Sequence, residues 1–135
     1  MKQCPKLQNV ALVALRLVVA AIFINAGIAK WMFWAGAPEG MPMSGIMLNL
    51  TRFLSIVEPL GGVALVVGFL TRWAAMGLAI IMAGAAYFVY FVMHAGFFTG
   101  QQGPGLDYIL LIFAGCLALV AFGAGQWSAD GVREK

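Results

Sequence analysis

Four apolar stretches fill most of this chain, and nearly every charge falls at or between their ends: Val10–Phe33, Phe53–Leu70, Trp73–Met93 and Tyr108–Phe122. With a rise of ~1.5 Å per helical residue, each is long enough, or nearly so, to cross a hydrocarbon core of ~30 Å. The pattern predicts a small polytopic membrane protein. A composition of 63% hydrophobic and 10% charged residues supports this, because a water-soluble domain of 135 residues would lack the polar surface to cover its core. Four helices use up the length, so a separate soluble catalytic domain or nucleotide-binding fold is not expected. The net charge of +3 is spread among helix ends and forms no basic patch, which argues for membrane orientation and against nucleic-acid binding.

Lys2 and Lys6 before an apolar run, with Gly27-Ile28-Ala29 after it, resemble a secretory signal. Arg16 interrupts that run, and the stretch suits a first membrane helix better. Cys4 and Cys116 show no disulfide, metal-ligand or redox spacing and are expected as a free thiol and a packing residue. Lys2, Lys6, Arg72, Arg133 and Lys135 gather on one side, with Arg16 near it, against Lys30 and Arg52 on the other. This excess predicts an up-down-up-down bundle with both termini in the cytoplasm. Thr71-Arg72 reads as a tight inner turn. Trp34–Arg52 and Gly96–Asp107, rich in Gly and Pro, read as longer outer loops. The helices are expected over about 10–33, 46–70, 73–93 and 107–123. Pro59 lies early in the second apolar stretch, and a helix starting there would be too short to span. That helix is therefore expected to begin near Gly45–Leu50 and kink at Glu58-Pro59, its freed backbone groups met by neighbouring helices or water.

Arg16 and Lys30 lie fourteen residues apart, close to four helical turns, and so share a helix face; Glu58 and Arg72 repeat the spacing on an antiparallel helix. Lys30 is thereby placed near Glu58 at the outer end, and Arg16 near Arg72 at the inner end. Tyr87, Tyr90 and His94 form a stripe leading to the same outer level, with Asn25 one turn below Lys30 and Asp107-Tyr108 opening the fourth helix. A cavity bordered by Asn25, Lys30, Glu58, Tyr87, Tyr90, His94, Asp107 and Tyr108 would offer acids, a base and aromatic walls to a quinone-like or small anionic ligand. The same residues also suit interfacial anchoring and a helix-locking ion pair, and both readings stay open. The lone His94 and the carboxylate spacing predict no metal site.

The chain closes on Gly123-Ala124-Gly125-Gln126-Trp127-Ser128-Ala129-Asp130. Taken with Arg16, Gly27 and Lys30, then Glu58-Pro59-Leu60-Gly61-Gly62 leading to Val67-Gly68-Phe69-Leu70-Thr71-Arg72, this terminal Gly-x-Gly-x-x-Ser-x-Asp resembles the DoxX family of four-helix membrane proteins. The sequence has Gly-Ala-Gly where that family more often has Gly-Pro-Gly, and Asp107 where Glu is usual. A polar lock of Arg16 with Arg72, Ser128 and Asp130, or with backbone carbonyls of the terminal segment, is expected at the inner end. The resemblance implies a bacterial inner-membrane setting and kinship with DoxD-type subunits of thiosulfate:quinone oxidoreductase. It therefore implies a membrane subunit of a quinone-linked or thiol/sulfur redox system, with a protein partner or a second copy and a quinone or small sulfur compound as ligand. No cofactor is expected to be built in, since the chain has no Cys pair, haem ligand pair or flavin motif. The competing class is non-enzymatic: an assembly scaffold, or a small-molecule carrier hinged at Pro59.

Overall fold

A computed structural model describes residues 5–100 and 103–133. Lys2, Cys4 and Lys135, used above for orientation and thiol content, lie outside the described residues. The chain forms α1 (Pro5–Ala29), a 3-10 extension (Lys30–Trp34), α2 (Gly45–Val67), α3 (Thr71–Tyr87) prolonged by a π-helical turn (Phe88–Val92), α4 (Leu106–Phe122) and a short α5 (Ala129–Arg133). With their extensions, the first three run 30, 23 and 22 residues and are long and apolar enough to cross a membrane. The fourth is apolar but shorter, at 17 residues or roughly 25 Å.

Contacts along the helices fix their directions. Gly27 of α1 packs on Pro59 of α2, Ala20 and Ile24 on Gly62, and Arg16 on Gly68, so α2 descends as α1 rises. Arg72 at the start of α3 lies over Gly123 just beyond α4, and Leu15 and Val19 of α1 meet Gly115 in the middle of α4. The four helices thus alternate in direction around one core, in which Phe23, Leu65, Leu78, Cys116 and Leu119 are sealed. Small residues let the backbones approach, the usual device where lipid removes the hydrophobic drive between helices. At Gly27 the approach is so close that any Cβ would overlap the Pro59 ring.

The turn between α2 and α3 corrects one expectation. It is made by Gly68-Phe69-Leu70, and Thr71 is already the first residue of α3. Gly68 adopts φ 71°, and its N–H and that of Phe69 both return to the Ala64 carbonyl, closing α2 in the left-handed way glycine favours. Leu70 also sits at positive φ, 48°. This strained residue is held from outside: Asp130 Oδ1 and Oδ2 accept the N–H groups of Leu70 and Thr71 at 2.9 and 2.8 Å, capping α3.

Pro59 lies inside α2, which starts at Gly45 with Ser44 as its N-cap. Proline removes the N–H that would bond the carbonyl four residues earlier, that of Ser55. The indole Nε1 of Trp31 donates to that carbonyl at 3.2 Å, and the indole of Trp34 donates to Ser55 Oγ at 2.9 Å. The 3-10 extension of α1 therefore repairs the break in α2.

Candidate functional site

Two polar constellations lie at opposite ends of the bundle. At the end carrying the termini, Arg16 is almost fully buried and donates through Nη1 to the Ala124 carbonyl at 2.7 Å and through Nη2 to that of Trp127 at 3.1 Å. Its partners are thus carbonyls of the terminal segment; Asp130 is committed to the α3 cap and, through its own N–H, to the Gly68 carbonyl. Ser128 Oγ donates to Gly125 O and accepts from Gly131 N, folding the turn into α5. Asn9, which the sequence did not single out, accepts the Gln126 N–H. Gly123 and Gly125 supply the positive φ angles this segment needs to double back beneath α1. Arg72 is exposed and lies over Gly123, on the rim of a shallow polar hollow with Asn9 and Asp130. Partial burial pushes the Asp130 carboxyl up, but the two N–H donors and Arg133 outweigh it and hold it below the usual carboxylate range.

At the opposite end all four long helices border a partly open cavity of about 640 Å³. Its wall is predominantly apolar, with Phe23, Leu54, Met82, Ile109 and Ile112 among the lining residues. One charged feature interrupts it. Lys30 Nζ lies 2.6 Å from Glu58 Oε2 and also donates to the Ala26 carbonyl at 3.2 Å. The Glu58 side chain is 4% exposed and that of Lys30 27%. Lys30 sits where α1 tightens into its 3-10 extension, and Glu58 immediately precedes the proline in α2. The Trp31–Ser55 bond spans the same junction and ties the two segments into one piece.

Of the residues grouped from sequence, Lys30, Glu58, Tyr87 and Tyr108 line this cavity. The other four do not. Asn25 is exposed on the outside of α1. Tyr90 falls in the π-helical turn, where the extra residue per turn rotates it out of the stripe; it is exposed and meets Phe91 edge-on. His94 follows that turn at φ 50° and is exposed. Asp107 turns to the preceding loop, where its Oδ1 accepts the Thr99 N–H and hydroxyl at 2.9 and 2.7 Å. Residues the sequence reading passed over complete the site: Thr51, Leu54 and Met82 in the wall, with Trp31 and Ser55 behind the ion pair. Among the described residues no three His, Cys, Asp or Glu side chains gather as a metal centre.

Residues 11–95, which include Arg16, Lys30, Glu58-Pro59 and Gly68, match a known family model, that of DoxX. The chain belongs to the DoxX family. It is 30% identical over 130 residues to the inner membrane protein YqjF of Escherichia coli K12, covering 96% of this chain and 97% of that protein. It is also 30% identical to the uncharacterized membrane protein Rv3486 of Mycobacterium tuberculosis, over 89% of this chain and 79% of that one. No solved structure gives a significant match. The protein is a multi-pass inner membrane protein, as is its E. coli homologue. The matched region takes in α1 to α3 and both members of the ion pair; α4 and the terminal Gly-x-Gly-x-x-Ser-x-Asp lie beyond it.

Proposed function

We propose that this DoxX-family protein is the membrane subunit of a quinone-linked or thiol/sulfur redox system, and that the cavity between its helices receives the lipid-soluble ligand. The observation that carries this reading is the cavity itself. About 640 Å³ of mostly apolar space with a single ion pair in its wall matches what binds a ring with a hydrocarbon tail: broad dispersion contact plus one point of polar orientation. Electrons reach such a ligand from a partner protein or directly from the substrate. Lys6, Arg72 and Arg133 lie at the end carrying the termini, which argues for that end in the cytoplasm, four crossings and a cavity at the outer side. Reporter fusions after Lys135 and within residues 36–44 test the orientation; an outward C-terminus refutes it.

The ligand reading is tested by extracting lipids from purified protein and from an Ala85→Phe variant, whose added ring grows from the cavity wall. Quinone is expected with the native protein and absent from the folded variant. Native protein that carries no quinone and takes up neither added decyl-benzoquinone nor its hydroquinone would refute the reading.

A further inference from the structure

The hydrogen-bond inventory of the ion pair specifies the head group more narrowly than cavity size does. An ammonium has three N–H donors, and Lys30 uses one on Glu58 Oε2 and one on the Ala26 carbonyl. The third is free. Glu58 uses Oε2, and its Oε1 takes no hydrogen bond from any described residue. Nor is that oxygen sealed in the protein, since the only wholly enclosed side-chain polar atoms without partners among the described residues are Arg16 Nε and Thr71 Oγ1. Glu58 is nevertheless 96% buried as a side chain and lines the cavity, so the open face of Oε1 is the cavity face. An acceptor and a donor therefore stand side by side in an otherwise apolar chamber. A buried carboxylate oxygen left without a donor is costly, more so than a free N–H on a partly exposed lysine.

We propose that the cavity selects a neutral, phenol-type hydroxyl, as in a hydroquinone, which donates to Glu58 Oε1 and accepts from Lys30 Nζ. This rests on the cavity being the ligand site. A quinone carbonyl has no hydrogen to give and answers Lys30 alone, leaving Oε1 unmet. An anion or an ammonium would bring a net charge into a pocket whose own charges already cancel, with nothing to balance it. A hydroxyl answers both groups at once without adding charge. The reduced head group is therefore the form the site holds more tightly, and the oxidised form binds through Lys30 alone.

The test uses full-length protein in nanodiscs and three matched ligands: a decyl-benzoquinone, its hydroquinone, and the hydroquinone dimethyl ether, which keeps the ring and removes both donors. Binding is measured anaerobically at equilibrium and corrected for partition into empty nanodiscs. A hydrogen bond to a charged group corresponds to about tenfold or more in affinity, so the hydroquinone is expected to bind at least about tenfold tighter than the other two. In Glu58→Gln the preference for the hydroquinone should shrink to within about threefold, since the neutral amide oxygen is the weaker acceptor. Three ligands bound equally, or the quinone bound best, overturn the hydroxyl assignment and leave the cavity as a ligand site. Failure of all three to bind refutes the cavity reading and this inference with it. The native protein alone decides these outcomes, so an ill-folded Glu58→Gln leaves the result intact.

Discussion

If the Trp31 indole replaces the N–H that Pro59 cannot supply, then Trp31→Phe should matter only while residue 59 is proline. In the native protein the substitution removes the 3.2 Å bond to Ser55 O and leaves that carbonyl facing a low-dielectric surrounding. An unsatisfied buried carbonyl costs about 1–3 kcal/mol, while side-chain hydrogen bonds measured inside membranes average about 0.6 and reach about 1.7 kcal/mol. About 1 kcal/mol is the expected loss. In a Pro59→Ala background the new residue brings its own N–H four positions beyond Ser55, the ordinary helical bond reforms, and Trp31→Phe should cost almost nothing beyond a small packing change.

The assay is a double-mutant cycle on reversible unfolding in mixed micelles. Pro59→Ala has its own effect, because the ring packs on Gly27, and the cycle cancels that term. A coupling of about 1 kcal/mol is expected, with the indole losing its value when the proline is gone. A Trp31→Phe penalty of equal size in both backgrounds would show that the indole contributes packing alone. The repair of α2 would then lie elsewhere.

At the other end, Arg16→Met strands the carbonyls of Ala124 and Trp127 and should cost roughly 2–4 kcal/mol, with hydrogen exchange rising over 123–131 and unchanged near Glu58; unaltered unfolding would dismiss the lock. Gly27→Ala forces a methyl into the rigid Pro59 ring and should destabilise by about 1–3 kcal/mol, read from the same unfolding curves. Asp130→Asn should cost roughly 1 kcal/mol as a weakened cap on α3. Because the folded Asp130 carboxyl is held below its ordinary range, its contribution is complete above the unfolded value of about 3.9 and is lost as pH falls through the lower folded value. An acid titration of stability should therefore show a decline below about pH 4 that the Asn variant lacks. Glu58→Leu alone should destabilise strongly by leaving Lys30 without its partner, whereas Lys30→Met with Glu58→Leu should recover most of the loss.

Sequence periodicity placed the helices because apolar length and charge position are dictated by the bilayer itself. Helix spacing also brought Lys30 to Glu58, the one pair of opposite sign that antiparallel α1 and α2 bring to the same level, whereas Arg72, expected on the same helix as Glu58, lies at the start of α3 instead. Two of the misplaced residues, Tyr90 and His94, have a common cause. Tyr87, Tyr90 and His94 share a face only if the helix keeps 3.6 residues per turn, and a π-helical turn at Phe88–Val92 breaks that count just where it matters. The sequence contains no visible signal for that turn. Asp107 was assigned by its nearness to a helix start, but the loop before it supplies Thr99 as a nearer partner. Trp31 was legible in principle: a proline inside a membrane helix announces a freed carbonyl four residues back, and an indole is among the few donors able to reach one from an adjoining helix end.

Three charged side chains of the described residues, Arg16, Lys30 and Glu58, lie within this bundle, and their surroundings differ. Around Arg16 the acceptors are main-chain carbonyls at the end of α4 and in the segment beyond, groups a helix terminus must satisfy in any case. Gly68 packs directly against Ser128 and the Arg16 guanidinium, and the hollow beyond is lined by Asn9, Arg72 and Asp130 and not by Arg16. Charge there resolves the backbone's own needs. Lys30 and Glu58 answer each other first, and among the described residues one Lys30 N–H and Glu58 Oε1 have no hydrogen-bond partner beside the cavity both residues line. A pair meant only to lock two helices gains nothing from an adjoining chamber of 640 Å³, since filling it with Leu or Phe would exclude water and strengthen the contact. Helix registry is already set at the same level by Gly27 on Pro59 and by Trp31 on Ser55. The ion pair is thus not needed for the locking task, which is what the proposed ligand role requires of it.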